Sequence, residues 1–402
     1  MDMSKCSSYR DFVRAIEPNR SSLELIGLWP KADETLKRRF DPDIRAGFFF
    51  MMILIFLAIP LIHALTRVWG DMVLMIDNLR VTLPMLTIIL KFGILRWKQS
   101  VLLSIINMVR DDWTTVKLNA ERDVMMKHVR TVRFITFGAH IATILTFIML
   151  TVIFPLFGLS FRWHTNLTDR NKPFPLQTYY FYDTDKSPQF ELTYLTQVIS
   201  MLVATITSTS ADTFLAFIIL HICGQLENFR HRLVTLVAGK EFNNILRYHI
   251  LTHIRLIRYA NNIEDMFTLI MLGTIIYFGI IFCLAIFVLL VMINNEKINA
   301  TNFSRVCYMI VANIFFFLQM FLYCYGGELI IEQCEAVYYA VYDLKWYKWE
   351  IKQTRNLIIL LIRVQEPFRI TAGKIVPLTM TTFCSLLKTS AGYISCLLAI
   401  QN

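Results

Sequence analysis

Long apolar stretches separated by polar connections order this chain. Two of them, AGFFFMMILIFLAIPLIHAL (Ala46–Leu65) and FTLIMLGTIIYFGIIFCLAIFVLLVMI (Phe267–Ile293), carry no charged side chain. About 20 apolar residues cross a bilayer core as a helix. The pattern predicts seven spans at 47–65, 72–95, 134–157, 192–221, 267–293, 305–330 and 375–400. The fold class is therefore all-α and polytopic. The second span is unusual, with Asp77, Asn78, Arg80 and Pro84 in its first half. Either that helix starts late, near Val81, or its outer half faces a polar cavity within the bundle.

The connections on one side are long and also helical in pattern. Between Gly224 and Phe267, apolar Ile245, Tyr248, Leu251, Ile254 and Ile257 recur at helical spacing, with Arg247, Arg255 and Arg258 between them. This predicts spans four and five running on beyond the bilayer as an antiparallel helical hairpin. Residues 331–371 repeat the theme. Apolar stripes outside a membrane must be covered, by the same chain or by another subunit. Their extent here favours oligomerisation.

Charge sets the expected orientation. Residues 1–46 hold nine Lys and Arg, 96–133 eight, 222–265 six and 331–371 six, a total of 29. The alternate connections 64–72, 158–190 and 293–304 hold one, four and one, a total of six. Lys and Arg mark cytoplasmic loops, so the N-terminus is expected inside and the C-terminus outside. Sequons at Asn166, Asn299 and Asn302 all fall in the sparsely charged loops, where glycosylation is possible. A fourth, at Asn19, falls inside and would go unused. The 46 mixed-charge residues before the first apolar run predict no cleavable signal peptide.

Composition fits a membrane protein: 55% hydrophobic, 17% charged, mean hydropathy +0.50. The net charge of +10 is topological, because no zinc-finger spacing or RNA-binding signature accompanies it and no nucleic-acid partner is expected. The eight cysteines show no metal or disulfide spacing. His249 and His253, one helical turn apart, suit a metal by spacing but lack a third ligand, so no metal or other cofactor is expected. No nucleophile–base pair or phosphate loop suggests an enzyme. A metabotropic seven-span receptor would have its N-terminus outside, and would tie its third span to the next outer loop through a cysteine; residues 158–190 contain none. A transporter would show internal repeats, and none is visible.

Several strings resemble the insect odorant receptor family. FLYCYGGELI (Phe321–Ile330), AVYDLKWYKW (residues 340–349 with the preceding tyrosines) and LIILLIRVQEPFRITAGKIVPLTMTTFCSLLKTSAGY (Leu357–Tyr393) carry the likeness most specifically. NLRVTLPML, DDW, HICGQLE and YANNIEDMF add to it upstream. Thr389-Ser390-Ala391-Gly392-Tyr393-Ile394 departs from the family's usual run at two positions, and Gly392 lowers the stiffness of that helix. A gustatory receptor channel of the same superfamily would share the topology, but the C-terminal string favours the odorant branch.

The resemblance implies a ligand-gated, non-selective cation channel of four subunits around one pore, a heterotetramer with a shared odorant receptor co-receptor subunit. It implies the plasma membrane of olfactory sensory neuron dendrites, surrounded by lipid. The expected organisation is a cytoplasmic segment at 1–46, spans one to six with their extensions and an outer loop at 158–190 within 47–330, anchor helices at 331–371 and a pore-lining span at 372–402. Small volatile ligands are expected in an outer-half pocket of Asn78, Val81 and Thr82 (span two), Thr146, Met149, Leu150, Ile153 and Phe154 (span three), Tyr194, Gln197, Val198 and Met201 (span four), and Tyr308, Val311, Ala312 and Phe315 (span six). The pore and gate are expected among Lys388, Gly392, Tyr393, Cys396, Ala399 and Ile400. A ring of small apolar side chains there can block ions by dewetting.

Overall fold

The computed structural model describes residues 3–30, 42–115, 118–153, 156, 174–235, 241–295 and 300–401; side chains are described for all of these except 3–8, 289, 291–295, 300–304 and 397–401. The chain is almost wholly helical. Helix α1 (Met3–Ile26) precedes the first span, which is built from α2 (Pro42–Ile53), a π-helical turn (Leu54–Ala58) and α3 (Ile59–Arg67). Then come α4 (Met72–Trp97), α5 (Gln99–Thr114), α6 (Asn119–Ile148, continued by a π turn at Met149–Ile153), α7 (Gln189–Val234), α8 (Phe242–Asn295) and α9 (Ala300–Tyr342). After α10 (Ile351–Val364), a two-stranded hairpin of β1 (Thr371–Ala372) and β2 (Val376–Pro377) leads into α11 (Met380–Gln401). Among the described residues, six helical stretches are long and apolar enough to cross a membrane. The 22-residue α11 is a further long helix, about 33 Å in length.

The connection between spans four and five is helical on both sides, as the periodicity predicts. Helix α7 has 46 residues and α8 has 54, about 70 and 80 Å, far beyond a core of about 30 Å. Helix α7 is the most buried of the six spans, with α6 and α9 packed along it. Its many Ser and Thr residues do not break it, because Ser200, Thr207 and Thr213 donate to carbonyls one turn back. The main core runs through the inner half, where Phe214, Phe217, Ile222 and Phe229 of α7 meet Tyr259, Ile263 and Phe267 of α8 and Leu23 and Ile26 of α1. Asn19 lies fully buried in α1, so its sequon cannot accept a glycan in the folded chain.

The structure settles the start of the second span and moves that of the last. The second span does not start late: α4 is helical from Met72, because the Asp71 carboxylate caps the amides of Val73 and Leu74 at 3.1 Å. The last span starts at Met380, not 375, since residues 371–377 are taken up by the hairpin. Gly373 (φ 64°) and Lys374 (φ 60°) turn that hairpin. The positive φ of Gly373 favours glycine in the turn, and a Cβ there would also make the Leu272 side chain of α8 shift.

Candidate functional site

One end of the span bundle is closed by a segment the hydrophobic pattern hides. Residues 174–182 lie in the connection between spans three and four, yet Phe174, Leu176, Gln177, Thr178 and Tyr180 are buried. Gln197 of α7, fully buried, holds this segment: its Oε1 accepts from Leu176 N at 3.2 Å, and its Nε2 donates to Thr178 Oγ1 at 3.0 Å. Asn78 of α4 donates to the Gln177 carbonyl at 3.4 Å and accepts from Thr82 Oγ1 at 2.7 Å. In the first span Pro60 has no N–H to return to the preceding turn. The Phe56 carbonyl in that turn accepts a 3.0 Å bond from the Tyr180 hydroxyl, and the Pro60 carbonyl accepts from Tyr179 N at 3.2 Å. The segment is thus a cap tied to spans one, two and four. Its sequence signal is the aromatic run FPLQTYYFY, too apolar for a solvated loop.

The expected ligand residues divide around this cap. Asn78, Thr82 and Gln197 meet through it, and Tyr194 joins spans three and four by donating to the Thr151 carbonyl at 3.0 Å. Met201 is buried, while Val81, Leu150, Ile153, Val198 and Ala312 are half-buried. Thr146 and Met149 on α6, and Val311 and Phe315 on α9, are exposed on the single chain. Tyr308 lies under the guanidinium of Arg80, 5.4 Å from ring centre to Cζ. Phe154, Asn166 and Asn299 lie outside the described residues, as do the side chains of Asn302, Ala399 and Ile400.

Deeper in the bundle is a polar network that the sequence analysis did not single out. Lys91 of α4, 2% exposed, places its ammonium 2.6 Å from Asp212 and 3.0 Å from Ser208, both on α7. Asp212 also accepts from Gln319 Nε2 at 3.0 Å and from the Tyr323 hydroxyl, both on α9, and Gln319 Oε1 accepts from Tyr277 of α8 at 2.8 Å. Four spans thus share one fully bonded ionic cluster. Its signal in the sequence was a Lys and an Asp placed within predicted spans, residues that are costly in a membrane unless paired.

The opposite face of α9 carries the last helix. Phe383 of α11 packs edge-on against Phe317 (5.1 Å) and Phe321 (5.8 Å). Glu328 of α9 accepts from Met380 N at 3.1 Å, placing an anion at the positive end of α11. The hairpin before it is fastened to α8: Thr371 donates to Glu264 at 2.6 Å, and Gly373 N donates to the Thr268 carbonyl at 2.9 Å. Farther along α11, Ser385, Lys388, Thr389, Gly392, Ser395 and Cys396 form one exposed stripe at three- and four-residue steps. Tyr393, 61% exposed, stands beside it.

In the inner hairpin, charges are paired and rings stacked. Arg232 grips Glu121 with bonds of 2.5 and 2.8 Å, and Asp112 bridges His221 (3.0 Å) and Arg255 (2.9 Å). His253 is sandwiched between Phe229 (5.7 Å) and Phe368 (5.8 Å). Burial, helped by Arg363, pushes its imidazole down to about 4, and burial lowers His249 too. Both are packing residues in aromatic surroundings, without the cluster of ligands a metal needs among the described residues.

Comparison with known proteins matches residues 71–391 to the family model described as 7tm Odorant receptor. Odorant receptor 13a of Drosophila melanogaster is 23% identical over 287 residues, covering 67% of each chain. Odorant receptor 10 of Aedes albopictus is 26% identical over 226 residues, 55% of this chain and 58% of that one. The matched stretches thus span about half to two thirds of these relatives. The structure of the insect olfactory receptor OR5 from Machilis hrabei in complex with eugenol superposes with a TM-score of 0.83 at 16% identity, over 98% of this chain and 99% of that one, which establishes the shared fold.

Proposed function

The chain belongs to the 7tm odorant receptor family, and from that premise we propose that it is an odorant-tuned subunit of a ligand-gated, non-selective cation channel. It is a multi-pass membrane protein and not an enzyme. In the proposed assembly it joins an odorant receptor co-receptor in a heterotetramer at the plasma membrane of olfactory dendrites. The excess of Lys and Arg in alternate connections supports a cytoplasmic N-terminus and an extracellular C-terminus. It also supports inner segments at 1–46 and 331–371, an outer loop at 158–190, and glycans on Asn166, Asn299 and Asn302.

The observation that carries the channel reading is the stripe on α11. Ser385, Lys388, Thr389, Gly392, Ser395 and Cys396 are exposed on a single subunit while Phe383 faces the bundle. Lipid solvates a lysine and hydroxyls poorly, whereas a water-filled pore solvates them well. The gate lies in the outer half of that helix, at Gly392, Tyr393, Cys396, Ala399 and Ile400. The ligand site lies above the Lys91–Asp212 cluster, beneath the 174–182 cap. A ligand opens the channel only by binding the open state better than the closed one. Helix α9 can transmit that preference, because it bonds to Asp212 on one face and packs Phe317 and Phe321 against Phe383 on the other.

The test is expression with and without the co-receptor, recording whole-cell current during an odorant screen with G-protein signalling blocked. A fast cation current is expected. Cys396→Trp and Cys396→Glu should alter block and permeation in the assembled channel; unchanged permeation in both would remove Cys396 from the pore.

A further inference from the structure

Arg80 has no place in the cap, the ionic cluster or the last helix, and its buried Nε lacks an acceptor among the described residues. It sits about 12 Å into α4 from the start of the helix at Met72. It is 6% exposed, and its Nε has no hydrogen-bond partner among the described residues. The nearest carboxylate oxygen, Asp77 Oδ1, is 3.6 Å from Nη1, an ion-pair distance too long for a hydrogen bond. Tyr308 presents its ring face to the guanidinium, 5.4 Å from ring centre to Cζ. A guanidinium carries five N–H donors in a fixed fork, and a buried donor left without an acceptor costs free energy.

One turn above Arg80, Ile76 joins Phe287, Val288 and Met309 in a small apolar cluster separate from the main core. The place therefore combines directed donors with an apolar wall, the composition of a small-molecule site. Asp77 already balances the charge. A carboxylate ligand would bring a second anion beside it, whereas a neutral acceptor adds a hydrogen bond without net charge.

We propose that Arg80 selects ligands bearing a neutral carbonyl oxygen, ketones or esters, whose hydrocarbon chains lie against Ile76, Met309 and Tyr308. The proposal rests on the outer-half pocket reading and names its ligand chemistry. It treats Arg80 as a specificity-determining residue that touches the ligand.

The experiment expresses the full chain with its co-receptor. It records concentration–response curves for straight-chain ketones and methyl esters, each beside the hydrocarbon and the carboxylic acid of matched length. Surface abundance is measured in parallel. The wild type is expected to answer ketones or esters at concentrations at least 10-fold below the matched hydrocarbon and acid. Arg80→Gln should raise the half-maximal carbonyl concentration about 10- to 100-fold, the range for loss of a hydrogen bond to a charged group. If Arg80→Gln fails to reach the surface, Asp77→Asn/Arg80→Gln removes both charges together and is read in its place. A wild type at the surface that prefers acids or hydrocarbons, or answers nothing in the set, overturns the proposal. So does an Arg80 variant that keeps the carbonyl preference within 2-fold. Met149→Ala and Tyr308→Ala separate the two levels. If they shift selectivity while Arg80→Gln does not, the pocket stands and Arg80 falls; if none of the three shifts it, the pocket reading falls as well.

Discussion

Removing either charge of the Lys91–Asp212 pair should destabilise this receptor more than removing both. Lys91 is 2% exposed and bonds Asp212 at 2.6 Å, with Ser208, Gln319 and Tyr323 completing the shell. Asp212→Asn leaves the ammonium bonded to neutral groups only, with no counter-charge, and Lys91→Met strands a carboxylate. Breaking a buried pair from one side costs about 3–5 kcal/mol. Unfolding entropy near 2 cal/mol/K per residue, over 402 residues, makes each degree of Tm worth about 0.8 kcal/mol. Each single variant should then melt about 4–6 °C below wild type. Lys91→Met/Asp212→Leu, which leaves no buried charge, should recover most of that loss, because apolar replacement of a buried pair is often neutral. The assay is thermal unfolding in lipid nanodiscs, read by a thiol-reactive dye reaching buried Cys223 and Cys334. If the single shifts stay under 1 °C, or the double variant loses the sum of both, the pair is not the coupled strut described here. The double variant also separates stability from gating. Folded at the surface but without Asp212 to bond α9, it should respond to ligand with a raised half-maximal concentration.

Other expectations follow from single features. His253, held at about 4 against about 6.5 in an unfolded chain, binds fewer protons folded than unfolded between those values. Stability should therefore fall as pH drops through 6.5, by about 2 kcal/mol at pH 5; melting curves at pH 7 and 5 should show this loss in wild type and much less of it in His253→Phe. Gly327→Ala should cost about 3 kcal/mol, because its Cβ would stand 2.0 Å from the Leu378 carbonyl oxygen, a backbone atom that cannot step aside alone. A Tm within 1 °C of wild type would contradict that contact. Gln197→Leu leaves the buried Leu176 amide without its acceptor, and should cost about 1–3 kcal/mol while speeding hydrogen exchange across residues 174–180. Unchanged exchange there would show that Gln197 does not hold the cap.

The sequence by itself determined the spans, because runs of apolar residues long enough for a bilayer admit few other homes and backbone groups in lipid must bond internally. It also determined the inner hairpin, since Ile245, Leu251 and Ile254 keep a helical period outside the membrane. Pairings between distant residues were decided only by the tertiary structure. The family resemblance puts Asn78 and Gln197 among the ligand groups, yet a cap 20 to 100 residues away in the chain takes up their hydrogen bonds. Lys91 and Asp212 each look like a charge misplaced in a span; only the packing of α4 on α7 makes them a bonded pair, 121 residues apart. A hydrophobic pattern records which face of a helix avoids water. It carries no record of which polar group on another helix will meet that face, and the stripe on α11 and the unbonded Nε of Arg80 became visible only once the neighbouring helices were in place.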